Sequence, residues 1–99
     1  MPKPVIWSPL SEVELDNTLN YLHEKWNEKV VTGFPDSIEN LVKQISNNPK
    51  QFPVANKKKK IRKCVLSMHT TIFYQENKTN VIILRFFDTR QDPVKLKLK

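Results

Sequence analysis

Glycine is almost absent from this chain: Gly33 is the single one in 99 residues. A phosphate-cradling loop needs several glycines where backbone must approach a ligand closely, so dinucleotide and P-loop chemistry is excluded. Cysteine is equally scarce. Cys64 stands alone, which rules out an intrachain disulfide and fits a reducing compartment. The two histidines, His23 and His69, are far apart and join no ligand cluster, so no metal site is expected. No apolar run approaches the roughly 18 residues that span a bilayer. Met1 to Trp7 also lacks the apolar core of a signal peptide. The expectation is a cytoplasmic protein with no metal, no cofactor, no membrane contact and no small-molecule substrate.

What is present is one domain's worth of apolar residues and an uneven distribution of charge. Residues 1–99, with a hydrophobic fraction of 38%, suit a single domain with one packed interface between layers. The net charge is +7. Residues 1–48 hold 4 basic and 7 acidic side chains, whereas residues 49–99 hold 13 basic and 3 acidic ones. A C-terminal half at +10 implies a surface that attracts an anionic partner, unless the lysines merely solubilise a sheet.

Hydrophobic periodicity sets out the elements. Val5-Ile6-Trp7 is β-prone and stops at Ser8-Pro9, where Ser8 suits a helix cap and Pro9 the first helical position. Glu12 and Glu14 follow near the first turn, favoured there by the helix dipole. Leu15, Leu19, Leu22 and Trp26 make one apolar stripe, and Phe34, Ile38, Leu41 and Ile45, with Val42 beside them, make a second. Gly33 and Pro35 either kink the second helix or mark its start. Asn47-Asn48-Pro49 ends it. Lys50 to Lys60 reads as an exposed loop, followed by strands over 61–67, 70–75 and 81–87. The fold class is α+β: an N-terminal strand, a two-helix hairpin, then an antiparallel sheet of three further strands, with helices on one face. The other face is then expected to carry Arg62 or Lys63, Thr71 and Arg85.

Each candidate residue has two readings. Lys57 to Lys60 is a phosphate-seeking loop or a solvated charge run. Arg62 and Lys63 occupy adjacent strand positions and so point to opposite faces. Arg85 lies within an apolar strand and needs a partner, either a bound target or an internal acid such as Asp88 or a helix carboxylate. His69 reads as a turn residue, although a histidine can serve as a general base. Cys64 reads as a small strand residue, because no activating neighbour is evident. Tyr74, Phe73 and Phe86 could stack on bases but fit a core better, as do Trp7 and Trp26.

Three segments carry a family likeness. They are Ile61-Arg62-Lys63-Cys64-Val65, Thr71-Ile72-Phe73-Tyr74, and Val81 through Arg90-Gln91-Asp92-Pro93. A basic strand, an aromatic strand ending in Tyr and a last strand closing on Arg-x-Asp-Pro resemble the RelE/ParE superfamily of toxins. These belong to type II toxin–antitoxin (plasmid stabilisation) pairs, and the helical hairpin extends the likeness over nearly the whole chain. RelE-like members cut messenger RNA on the ribosome, and ParE-like members inhibit DNA gyrase by binding it. Carried over by residue, the resemblance places Arg62 at a basic position of the nuclease set and Arg90 at the arginine after the last strand. Cys64 stands where a second basic residue is expected, Thr71 where an arginine is usual, and Leu96 near a C-terminal tyrosine. The Asp92-Pro93 ending resembles the ParE branch. The resemblance thus implies a gyrase-binding toxin that is not an enzyme, paired with an acidic antitoxin, with Lys59, Lys60, Arg62, Lys63, Arg85 and Arg90 meeting target or antitoxin. The alternatives are a metal-independent endoribonuclease using Arg62, Arg90 and Lys63, or a non-toxic domain that binds nucleic acid.

Overall fold

The computed structural model describes residues 2–25, 28–67 and 70–88. The elements run β1 (Val5–Trp7), α1 (Pro9–Lys25), α2 (Glu28–Asn47), a 3-10 turn (Pro49–Gln51), β2 (Val54–Asn56), β3 (Ile61–Ser67), β4 (Thr70–Glu76) and β5 (Val81–Asp88). The strands form one sheet in the order β1-β5-β4-β3-β2. β1 lies parallel to β5, and the other neighbours are antiparallel. The sheet is therefore mixed and five-stranded, where the sequence led us to expect an antiparallel sheet with three strands after the hairpin. The strand not foreseen is β2, which lies inside the stretch read as loop. It has three residues and no alternating pattern, and what holds it is tertiary: Val54 pairs with Arg62, and the Lys63 amide donates to the Pro53 carbonyl at 3.0 Å.

The start of α1 follows from local chemistry. Ser8 Oγ accepts the Ser11 amide at 3.1 Å and donates to the Leu84 carbonyl at 3.0 Å. One hydroxyl thus caps the helix and docks it on β5, while Pro9 occupies a position whose amide would have no partner. We expect Ser8→Ala to lower stability by about 1–2 kcal/mol in urea unfolding, since it removes the cap and the strand contact together. α2 runs through Gly33 and Pro35 and ends at Asn47, ahead of Pro49.

The core lies between helices and sheet. Ile38, Leu41 and Ile45 of α2 are buried against Cys64 of β3, Ile72 and Tyr74 of β4, and Val81, Ile83 and Phe86 of β5. Leu15 of α1, Val42, Trp7 and Phe52 pack around them. Of the expected stripes, Trp26 and the side chains of Leu22 and Phe34 lie outside the described residues. A second cluster of Ile61, Phe73 and Phe87, with Leu84 against it, occupies the other face by strand alternation.

One irregularity determines where Arg85 goes. Phe73 pairs with Arg85 but Tyr74 pairs with Ile83, so Leu84 is an extra residue on β5. A bulge of this kind shifts the alternation of side chains. Ile83 and Phe86 both face the helices as a result, while Arg85 falls on the side of Phe73 and Phe87. Unbulged, β5 would aim Arg85 into the apolar core beside Ile83.

Candidate anion-binding cleft

The face away from the helices carries Lys63, Thr71 and Arg85, as expected of one of the Arg62–Lys63 pair and of the other two, but Arg85 is buried there and most of the accessible cations gather elsewhere. The same face carries the Ile61–Phe73–Phe87 cluster, and Lys63 on it is exposed. Arg62 turns to the helix side, paired across the ladder with Tyr74. Its Nη1 donates to the carbonyls of Phe52 at 2.7 Å and Lys50 at 3.2 Å. The guanidinium is thereby fixed under the segment that follows α2, and it has no carboxylate partner among the described residues.

Around Arg62 the cations converge on a cleft of about 420 Å³ lined by Lys3, Lys50, Val54, Lys57, Lys60, Arg62, Glu76 and Asn77. Three segments build it. The 3-10 turn after α2 supplies Lys50, the β2–β3 turn supplies Lys57 and Lys60, and the residue run before β1 supplies Lys3. Lys3 is committed, its Nζ donating to Glu76 Oε2 at 2.9 Å and to the Asn77 carbonyl at 2.7 Å. Glu76 is the single carboxylate among the described lining residues, which set five cations against one anion. Lys50, Lys57, Lys60 and Arg62 are left without a carboxylate among the described residues.

The lysine turn is built rather than loose. Asn56 Oδ1 accepts the Lys59 amide at 3.1 Å, and the Lys60 amide donates to the Lys57 carbonyl at 3.4 Å. Gln75 Nε2 ties the Lys59 carbonyl to β4 at 2.6 Å. Lys60 closes the turn at φ 55°, a left-handed conformation that costs a side-chain-bearing residue about 1–2 kcal/mol. With several lysines held side by side, the turn keeps like charges together at the mouth of the cleft, which raises the local attraction for anions.

The remaining predicted residues scatter. Lys60 and Arg62 line the cleft, and Lys59 sits on the same turn. Lys63 is exposed on the opposite face. Arg85 is bound internally: its Nε and Nη2 donate to the two carboxylate oxygens of Glu14 at 2.9 and 2.7 Å. It is 8% exposed, lies 5.6 Å from the Phe87 ring centre, and its hydrogen bonds to Glu14 push its pKa upward. It is therefore withdrawn from the basic surface, the alternative of an internal ion pair with a helix acid being the arrangement found. Arg90, Asp92, Pro93, Leu96 and His69 lie outside the described residues.

Cys64 is 2% exposed in the core, and burial pushes its thiol up to about 11, so it is neither a nucleophile nor a phosphate contact. Thr71 is buried as well. Tyr74 is fully buried, its hydroxyl donating to the Pro49 carbonyl at 2.5 Å. Lys3, Lys50 and Lys57 are the cleft residues missed from sequence. Lys57 lay in the recognised lysine run, but Lys3 and Lys50 are brought in by pairings distant in the chain. Among the described residues no group of His, Cys, Asp and Glu could hold a metal ion, and no helix is long and apolar enough to cross a membrane.

Known proteins share this architecture. The chain covers 87% of itself and 95% of a solved chain from the chromosomal ParDE toxin–antitoxin system of P. aeruginosa, at 14% identity and a TM-score of 0.72. It is also similar to a chain of the E. coli DinJ–YafQ toxin–antitoxin complex, at 9% identity, TM-score 0.63, and coverage of 91% and 96%. The YoeB dimer from Staphylococcus aureus gives 13% identity, TM-score 0.60, and coverage of 88% and 97%. At such identities the likeness is one of fold. No curated protein sequence was found to match. The model of the ParE toxin of type II toxin–antitoxin systems, parDE, matches residues 5–93. On a match of that extent, the chain belongs to the ParE toxin family and is the toxin of a type II toxin–antitoxin pair.

Proposed function

We propose that this toxin acts in the cytoplasm by binding and inhibiting DNA gyrase, without chemistry of its own. The observation that carries the reading is the fate of the positions where the resemblance calls for nuclease side chains. Cleaving a phosphodiester needs accessible cations for the developing charge and a group to move protons. Cys64 stands at one such position and Thr71 at another, and both are buried, with the Cys64 thiol sealed beneath α2. Arg62 is the one cation of the expected strand set that faces the cleft, and it is pinned to two carbonyls. One guanidinium can hold an anion but offers no proton transfer near neutral pH. Membership of the ParE family supports the same target.

The antitoxin partner follows from the family. We propose that it is acidic, because a half-chain of charge +10 favours an acidic segment by steering and by complementarity. Leu10 and Val13, half-exposed on α1, add apolar surface for such a segment on the hairpin side.

The test is a supercoiling assay with purified gyrase and relaxed plasmid. Added toxin is expected to stop supercoiling, and a stoichiometric excess of acidic antitoxin to restore it. Full supercoiling at a large toxin excess overturns the target. Transcripts cut in a translating extract, with cutting lost on Arg90→Ala, would assign the protein to the ribosome instead.

A further inference from the structure

From the cleft lined by Lys50, Lys57, Lys60 and Arg62 we infer a second binding site, one that seats the phosphate backbone of a nucleic acid without reading its bases. The inference goes beyond gyrase inhibition and does not depend on it.

Three observations point to phosphate rather than to a peptide. The first is the charge, five cations against one carboxylate among the described lining residues, with that carboxylate already engaged by Lys3. The second is what the wall lacks. Among the described residues Val54 is the only apolar one in the lining, and none of them brings an aromatic ring to it. An extended peptide is held by side-chain pockets as well as charge, and an unstacked base needs an aromatic platform. A backbone of repeated anions needs neither. The third is the state of Arg62. Only its Nη1 is used by the carbonyls of Lys50 and Phe52, which leaves Nε and Nη2 as the fork that suits phosphate oxygens.

The backbone that presents the lysines is set before any ligand arrives. The β2–β3 turn is fastened by Asn56 and Gln75 and the Arg62 guanidinium by its carbonyls, so the ordering needed on binding falls mainly on the lysine side chains. At about 420 Å³ the cleft lies within the range of ordinary ligand sites and takes a short run of phosphates. The strand-end position, with Lys3, Glu76 and Asn77 as its floor, lies away from the Leu84–Phe86 end of β5 where Glu14 docks.

Fluorescence anisotropy of a labelled single-stranded DNA 20-mer, read across a salt series without gyrase or ribosome, tests the site. Four cations on a single strand predict a log–log salt slope of roughly −3. Lys57→Gln is expected to weaken binding about three- to tenfold and to reduce the slope by roughly one unit. Lys43→Gln, which removes an equal charge from the exposed face of α2, is expected to leave both unchanged. Lys60→Gly keeps the fold, because glycine takes the left-handed position freely, and it should weaken binding like Lys57→Gln. Pyrophosphate and a decamer of glutamate serve as competitors in parallel. Displacement of DNA only at high millimolar pyrophosphate supports a backbone site. Binding of pyrophosphate without DNA, or of the glutamate decamer in preference to DNA, overturns it. So does equal loss in Lys43→Gln and Lys57→Gln. A toxin that binds DNA through the cleft but spares gyrase would sink the gyrase reading alone.

Discussion

Replacing Glu14 with alanine is expected to remove about 3–5 kcal/mol of stability, a large part of the 5–15 kcal/mol typical of a small domain. The carboxylate does three things at once. It takes Arg85 Nε and Nη2 on separate oxygens, and Oε1 also accepts the Phe86 amide at 3.1 Å. That amide needs a partner because β1 pairs with β5 only as far as Ile83. Beyond that point the edge of β5 is closed by Ser8 and Glu14. Without the carboxylate, a guanidinium whose side chain is only 10% exposed loses its two-oxygen acceptor, and the Phe86 amide loses its bond to Glu14. Thermal unfolding should fall by roughly 20 °C, taking 4–8 °C per kcal/mol for a domain of this size. The double substitution Glu14→Met with Arg85→Met should recover the part of the loss that comes from the buried charge, because an apolar pair replaces a buried ion pair at little net cost, but not the part that comes from the Phe86 amide. A loss below about 1 kcal/mol for Glu14→Ala would mean that water reaches the pair, contrary to its burial.

A steep loss of stability in alkali is the second large effect. Burial raises the Cys64 thiol from 9.0 to about 11, and burial, outweighing the nearby Arg62 charge, raises the Tyr74 hydroxyl from 10.0 to about 12. Both groups are neutral when protonated, and both hold their protons longer in the folded chain than in the unfolded one. Above pH 9 the unfolded state loses the thiol proton first, and above pH 10 the phenol proton, while the folded state keeps both. The folded state therefore loses ground as pH rises, from about 9 up to about 12, where both groups have ionised in either state. Each group contributes about 3 kcal/mol to that fall, because a proton kept only by the folded chain costs it about 1.4 kcal/mol for every pH unit climbed. Urea unfolding at pH 8, 10 and 11.5 reads it directly. Cys64→Ala should flatten the first part of the fall and Tyr74→Phe the later part. The phenylalanine variant should start lower at pH 8, having lost the hydrogen bond to Pro49. Equal slopes in all three proteins would show that the two groups are not sealed from solvent.

Much of the scaffold was legible in the sequence because it rests on local or periodic signals. Ser8-Pro9 marked the start of α1, Asn47-Asn48-Pro49 marked the end of α2, and β3 runs over Ile61–Ser67 as its β-prone run implied. What was not legible depends on pairings between distant segments. β2 exists because β3 offers it an edge, and β1 lies parallel to β5 for reasons its three residues do not carry. The cleft suffered in the same way. The lysine run was visible, but its convergence with Lys3 and Lys50 requires both pairings. Arg85 misled for a subtler reason. Its place on the strand was plain, but the bulge at Leu84 and the reach of Glu14 decide that it is spoken for.

The parallel seam between β1 and β5 bears on when the protein becomes active during synthesis. Val5 meets Val81 across 76 positions of chain, and the Ser8 amide waits for the Ile83 carbonyl. Contacts that distant form late and slowly, and translation delivers the N-terminal residues well before their partner strand. The first strand is thus made well before the strand it pairs with and has no partner until β5 has been synthesised. A waiting antitoxin has that interval in which to act on a molecule that has not yet finished folding.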